Sequence, residues 1–416
     1  MPSSSSPSSS TTFARSVPAP ATGAAPLAAR RVLRLLERLR VGTLELHLPD
    51  GTNLRLGSAR ADEPHAVLRL HDWSVFAATL RRGDVGFAEG FIDGRWTSPD
   101  PATLLRLFLA NRAALETAVA GSWWGSLLDR LRHLTHRNSR RGSRRNIHAH
   151  YDLGNAFYRL WLDATMNYSS ACFDGDIGRS LEVAQQAKLA RTLAAVRLQP
   201  GQRLLEVGCG WGALAEAAAA AGAEVVGVTL STEQLAYAQE RLQRRGLADR
   251  ADLRLQDYRD VDDAPFDAIV SIEMFEAVGH AYWGTFFRTL HARLKPGGLA
   301  CIQSITIHDE RFERYLRSTD FIQQYIFPGG LLPSPSAFRA EARRAGFEVV
   351  HEHAFGHDYA ETLRRWRAAF LARRAEVRQL GFDGRFLRTW EFYLAYCEAA
   401  FDSGSTDVIQ FTLRRA

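Results

Sequence analysis

Residues 204–219 read LLEVGCGWGALAEAAA: an apolar run, a cluster of glycines and an alanine-rich stretch. In that order they spell a buried strand, a tight turn and the first turns of a helix, the unit with which α/β folds hold a nucleotide. The pattern continues downstream. Strands are expected at 203–208, 224–230, 251–256, 266–272 and 298–306, with helices at 211–221, 231–245 and 283–294. A helical insertion near 311–327, a helix at 335–345 and a strand at 347–354 follow, and VIQFTLRR closes the chain as a strand. This alternation predicts a doubly wound parallel sheet whose late seventh strand runs antiparallel.

The glycine loop alone does not name the nucleotide, because Gly208, Gly210 and Gly212 satisfy both a GxG-type loop and a loose dinucleotide fingerprint. Two neighbours decide. Glu206 lies in the first strand, where a carboxylate would repel a pyrophosphate and attract a cation. The next strand ends GVTLS, so Thr229 and Gln234 stand where a dinucleotide site wants an acid for the ribose. Further on, LQDY places Gln256 and Asp257 at a strand end, where an acid can accept from an adenine amino group. A cationic adenosyl ligand meets all of these conditions. S-adenosylmethionine is therefore the expected cofactor, and the methyltransferase variant of the Rossmann sheet the expected fold.

At 416 residues the chain predicts two domains. Residues 1–27 form a Ser/Pro/Ala-rich tail read as disordered, 28–125 a small α+β domain, 126–149 a basic linker and 150–416 the methyltransferase domain. In the small domain, AARRVLRLLERLR places Val32, Leu35, Leu36 and Leu39 on one helical face, which either docks on its own domain or lies on a membrane surface. TLELHLPDGTNLRLG alternates around Pro49, Asp50 and Gly51 as a hairpin does. Net charge is +6, and RLRHLTHRNSRRGSRR (130–145) carries seven arginines and no acid. Such a run suits either a solvated linker or anionic headgroups, and it lacks the interleaved aromatics of a nucleic-acid site. The four cysteines are scattered, as in a reduced, cytoplasmic protein. His148 and His150 have no third ligand at a sensible spacing, so no metal is expected. No run reaches the length of a membrane span, which predicts a protein that lies on a membrane rather than through it.

The segment HYDLGNAFYRLWLDATMNYSSACF (150–173), with Asp152 and Asn155 as expected helix caps, precedes the sheet. Together with LLEVGCGWG, VVGVTLSTEQ, LQDYRD, VSIEMFEAVG, YIFPGGLLPS and FGHDYAETLRRW, in that order, it resembles the cyclopropane-fatty-acyl-phospholipid synthase and mycolic acid cyclopropane synthase family. The likeness spans roughly residues 40–416, and the N-terminal domain resembles the one carried by the phospholipid-acting members, a lipid-binding domain.

This resemblance implies methyl transfer from S-adenosylmethionine to the double bond of an unsaturated acyl chain, then proton loss that closes a three-membered ring. It implies a bound bicarbonate as the base, held by Glu276, Tyr359, the backbone at Ser170 and Ile305, and the family's histidine position. That position is Gln303 here, which can hydrogen-bond an anion but carries no proton. For the cofactor the resemblance points to Tyr168, Ser169, Gly208, Gly210, Thr229, Gln234, Gln256 and Asp257, and the strand carboxylate Glu206 joins them. Glu273, three residues before Glu276, reads as a structural cap or pair first and as a site residue second. Phe321, Tyr325, Phe327 and Trp366 read as core residues, some of them lining an acyl channel, and Tyr393 and Tyr396 are open to either role.

The expected partner is unsaturated phospholipid in an anionic membrane, met at its inner face; nucleic acid is not expected, and a homodimer is allowed. Within the same chemistry, a hydride shift before proton loss would give a methylene or, after reduction, a methyl branch instead. Methylation of a soluble molecule leaves the N-terminal domain and the arginine run without a role. A non-catalytic lipid-binding module leaves the cofactor and base motifs without one.

Overall fold

The computed structural model describes residues 26–58, 60, 62–119 and 153–416. The expected tail up to residue 25, the whole basic linker, His148, His150 and Asp152 lie outside the described residues, and Leu27, the last residue of the expected tail, already opens the first helix. The first strands are β1 (Thr43–His47), β2 (Asn53–Gly57), β3 (His65–Leu70) and β4 (Trp96–Thr97). They form a four-stranded sheet in the order β2-β1-β3-β4. The hairpin is present, with Thr43 opposite Gly57 and His47 opposite Asn53. The amphipathic helix Leu27–Leu36 buries Ala29, Val32, Leu33 and Leu36. Of the two settings that its sequence allows, it takes the first: its apolar face is spent on its own domain.

The second sheet holds β5 (Arg203–Val207), β6 (Glu224–Thr229), β7 (Ala251–Leu255), β8 (Phe266–Ile272), β9 (Leu294–Ile307), β10 (Phe347–Ala354) and β11 (Thr406–Arg415). Their order is β10-β11-β9-β8-β5-β6-β7. From β9 to β7 the pairs are parallel, and β11 runs antiparallel between β9 and β10. This is the doubly wound sheet with a last antiparallel strand. The strands are apolar because both faces are covered: Leu205, Val207, Ile269 and Ile302 are 0–1 % exposed. The expected cap at Asn155 is corrected. Gly154, at φ 83°, caps the single turn Asn155–Tyr158, and Asn155 is its first residue. The Asn155 side chain instead accepts from Trp211 Nε1 at 2.7 Å.

The two parts share one core. The long helix Gly384–Asp402 packs on the N-terminal helices Ser74–Ile92 and Pro101–Ala110. Its Phe392 ring lies 5.7 Å from Phe91 and 4.9 Å from Phe321. Gly83, at φ 59°, breaks the helix Ser74–Ile92 and turns Asp84 toward the junction. There the Asp84 carboxylate accepts from Tyr396 Oη at 2.9 Å and from the Phe321 N–H at 3.3 Å. Asp84→Ala removes the oxygen that accepts both hydrogen bonds and is expected to cost about 1–3 kcal/mol. Thermal unfolding and the rate of tryptic cleavage between the two parts check this. An unchanged melting temperature and cleavage rate would mean that apolar packing alone holds the junction.

Candidate active site

The site is built at the carboxyl ends of β5–β8, where an open α/β sheet leaves a crevice. Between Val207 and the helix Ala213–Ala220 the chain must turn within a few residues. Gly208 does so at φ 88° and Gly212 at φ 79°. A Cβ on Gly212 would stand 2.8 Å from Ala238 Cβ, so only glycine lets the loop lie against the next helix.

The structure brings all nine expected cofactor residues onto one cavity. Tyr168 and Ser169 come from the segment before the sheet, Glu206 from β5 itself, Gly208 and Gly210 from the turn after it, Thr229 from the β6 end, Gln234 from the first turn of the helix Thr232–Arg244, and Gln256 and Asp257 from the β7 end. Asp257 is held on its own loop by Arg259, with contacts of 2.8 and 2.6 Å. Tyr168 is fixed by a 2.7 Å hydroxyl contact with Tyr393.

Glu206 is 4 % exposed, and its Oε2 has no partner among the described residues. Burial pushes its carboxyl up to about 8, against the pull of Lys188. A buried acceptor without a donor is costly, so the cavity is built for a ligand that brings a positive charge or N–H groups. S-adenosylmethionine, with an ammonium and a sulfonium, fits that requirement.

Sequence reasoning missed Lys188. Wholly buried on the helix Leu181–Ala195, it donates to Ser169 Oγ at 2.7 Å and Asn167 Oδ1 at 3.2 Å. Burial draws its ammonium down to about 8, and the charge of Glu273 opposes that most. One signal was visible: the chain has two lysines against fifty arginines, since Lys+Arg total 52.

The groups expected to hold bicarbonate divide into two sets. The Ser170 N–H (2.9 Å), Gln303 Nε2 (2.7 Å) and Tyr359 Oη (2.6 Å) all donate to the carboxylate of Glu273. Glu276 lies apart, accepting from the Ile305 N–H and, at 3.1 Å, from Ser304 Oγ. Its Oε2 has no partner among the described residues, and burial, helped by the charge of Glu273, pushes its carboxyl up to about 8. Three donors assigned to a bound bicarbonate are thus already used by a side chain, and the site as built does not fit that ion. Glu273, which the sequence left open between a structural cap or pair and a site residue, accepts from three parts of the chain and lines the cofactor cavity. The aromatics split as well. Phe321 and Trp366 are buried, while Tyr325 stacks on Phe321 and donates to Glu89 at 2.5 Å.

Comparison with known proteins agrees with this geometry. The family model for mycolic acid cyclopropane synthetase matches residues 138–411. A tuberculostearic acid methyltransferase of Mycobacterium tuberculosis is 39% identical over 382 residues, 89% of this chain and 88% of the relative. The cyclopropane-fatty-acyl-phospholipid synthase of Escherichia coli K12 is 36% identical over 363 residues, 86% and 89% of the two chains. Among solved structures, a mycolic acid cyclopropane synthase complexed with SAH and CTAB superposes with a TM-score of 0.61 at 35% identity, covering 65% of this chain and 98% of its own. A cavity shaped for an adenosyl cation and a family match over most of the chain agree: this protein belongs to the mycolic acid cyclopropane synthetase family and is an S-adenosylmethionine-dependent methyltransferase of the cyclopropane synthase type.

Proposed function

We propose that this enzyme methylates the double bond of an unsaturated acyl chain carried by a membrane phospholipid, and that proton loss then closes a cyclopropane ring. The cofactor supplies an electrophilic methyl group. The chain's own residues must hold the alkene against it, keep water from the carbocation that forms on the acyl chain, and remove one proton. One observation carries the reading: a carboxylate, Glu273, on the cavity wall with aromatic rings behind it. Tyr359, which donates to Glu273, has Phe401 at 4.4 Å and Trp366 at 6.2 Å, and Trp366 lies 5.4 Å from Tyr168. Aromatic faces attract a cation without reacting with it.

Phospholipid is proposed because the likeness to the Escherichia coli synthase includes the region before the methyltransferase sheet, and because the chain is basic. Among the described residues no helix is long and apolar enough to cross a membrane. Peripheral attachment at the inner, anionic face, with the 130–145 arginines against headgroups, is part of the proposal, as is a lipid-binding role for the N-terminal domain. A second reading, a methylene or methyl branch, is favoured by Gln303 beside Glu273 and by the likeness to a tuberculostearic acid methyltransferase.

The test is incubation with methyl-labelled S-adenosylmethionine and vesicles of unsaturated phosphatidylglycerol and phosphatidylethanolamine. Label is expected in the acyl chains of intact phospholipid; label only in free fatty acid or in headgroups would refute the assignment. A ring and a methylene have the same mass, so proton NMR of the product separates them. Upfield ring protons support the first reading, and vinylidene protons the second.

A further inference from the structure

The donors that converge on Glu273 come from sites 103, 30 and 86 residues away in the chain. Their geometry is locked. Gln303 is wholly buried, and its Oε1 accepts from Gln410 Nε2 at 3.0 Å, which leaves its own Nε2 no orientation but toward Glu273. Gln410 is fixed in turn by Thr192 Oγ1 at 2.9 Å. Glu273 itself sits at φ 49°, a left-handed conformation that disfavours a side chain by about 1–2 kcal/mol. A strained residue held by three donors and facing the cofactor cavity has the marks of a functional group rather than a spare surface acid.

We propose that Glu273 is the general base of this enzyme, its carboxylate occupying the seat that the resemblance assigns to bicarbonate, so that the reaction needs no anion from solution. This rests on the proposed methylation of an acyl double bond. The π electrons of the alkene form the bond to the methyl carbon as the sulfur–carbon pair returns to sulfur, leaving a carbocation on the neighbouring chain carbon. One C–H bond of the new methyl group then breaks. Its electron pair becomes the carbon–carbon bond that closes the ring, or, after a hydride shift, the π bond of a methylene. The proton passes to a carboxylate oxygen of Glu273. Gln303 need not be a histidine here, because the negative charge is covalently part of the chain and requires a donor, not a proton carrier. Burial raises the Glu273 carboxyl, the three donors opposing, which makes it a stronger base than an exposed glutamate.

The experiment compares wild type with Glu273→Gly and Glu273→Gln in CO2-free buffer. Glycine suits the left-handed backbone and empties the seat, whereas glutamine fills it without basicity. Retained calorimetric binding of S-adenosylmethionine establishes that each variant is folded. Titration with sodium bicarbonate, read by calorimetry and by the linewidth of the carbon-13 signal, is expected to show binding to Glu273→Gly and none to wild type. Turnover on unsaturated vesicles should be unaffected by CO2 removal in wild type. It should fall by about 100-fold or more in both variants and recover with bicarbonate only in Glu273→Gly. Bicarbonate binding by wild type, a CO2 requirement in wild type, or full activity of Glu273→Gln would overturn the assignment. Failure of Glu273→Gly to bind bicarbonate would overturn the shared seat. Should no lipid be turned over by any form, the methylation reading fails while the bicarbonate titration still decides the seat.

Discussion

Trp366→Ala is expected to lower the stability of the protein by about 3–5 kcal/mol and to abolish turnover at temperatures that wild type tolerates. Trp366 is 0 % exposed on the helix Gly356–Ala372. Its ring lies 5.6 Å from Trp161, 5.4 Å from Tyr168 and 6.2 Å from Tyr359. Two of those neighbours are site residues, one on the cofactor cavity and one on Glu273. The indole N–H has no partner among the described residues, so removing it strands no acceptor there and the loss is one of packing. Trp366→Phe keeps most of the volume and should recover the larger part of the stability. Urea unfolding midpoints of the three proteins, at constant slope, measure the series. A loss below about 1 kcal/mol for the alanine variant would mean that the site collapses around the gap and that the ring does not support it.

The second large effect concerns cofactor affinity and its dependence on pH. In the empty protein burial holds the Glu206 carboxyl up at about 8, so at neutral pH it is mostly protonated. A cationic ligand favours the ionised form. Binding must therefore release a proton below pH 8, and affinity should rise with pH by at most about tenfold per unit until it levels off near that value. The sign for the empty fold is opposite. A raised acid contributes stability below its unfolded value, ordinarily 4.5, and that contribution is lost as pH climbs through about 8. Glu206→Gln should bind S-adenosylmethionine more weakly by about 1.5–3 kcal/mol at pH 8.5, the worth of a hydrogen bond to a charged group. It should also flatten the pH dependence that Glu206 supplies. Calorimetry in buffers of different ionisation enthalpy reads both affinity and proton release. Equal affinity in wild type and variant across pH 6.5–8.5 would remove Glu206 from the cofactor site.

Much of this protein was legible from its residues, because the signals were local. A strand buried on both faces must be continuously apolar, and a turn this tight must be glycine. The β5 turn, the helix after it and the β6 and β7 ends could therefore be placed by spacing alone. Seven of the nine cofactor residues sit on or beside those strand ends, so placing the strands placed them too; Tyr168 and Ser169, before the sheet, were given only by the family resemblance. The helix Leu27–Leu36 shows where local signals stop: its stripe of apolar residues requires a partner surface but does not say which one.

The surroundings of Glu273 and Glu276 are the clearest case of what only the tertiary structure decided. VSIEMFEAVG offers two glutamates three residues apart, and the family resemblance points to Glu276. The left-handed turn at Glu273 and the closure of loops that bring in Ser170, Gln303 and Tyr359 direct one carboxylate to three donors, while Glu276 turns to Ile305 and Ser304. A carboxylate takes whichever donors the folded chain delivers. Periodicity records which residues are buried; only the closed fold sets which buried groups meet.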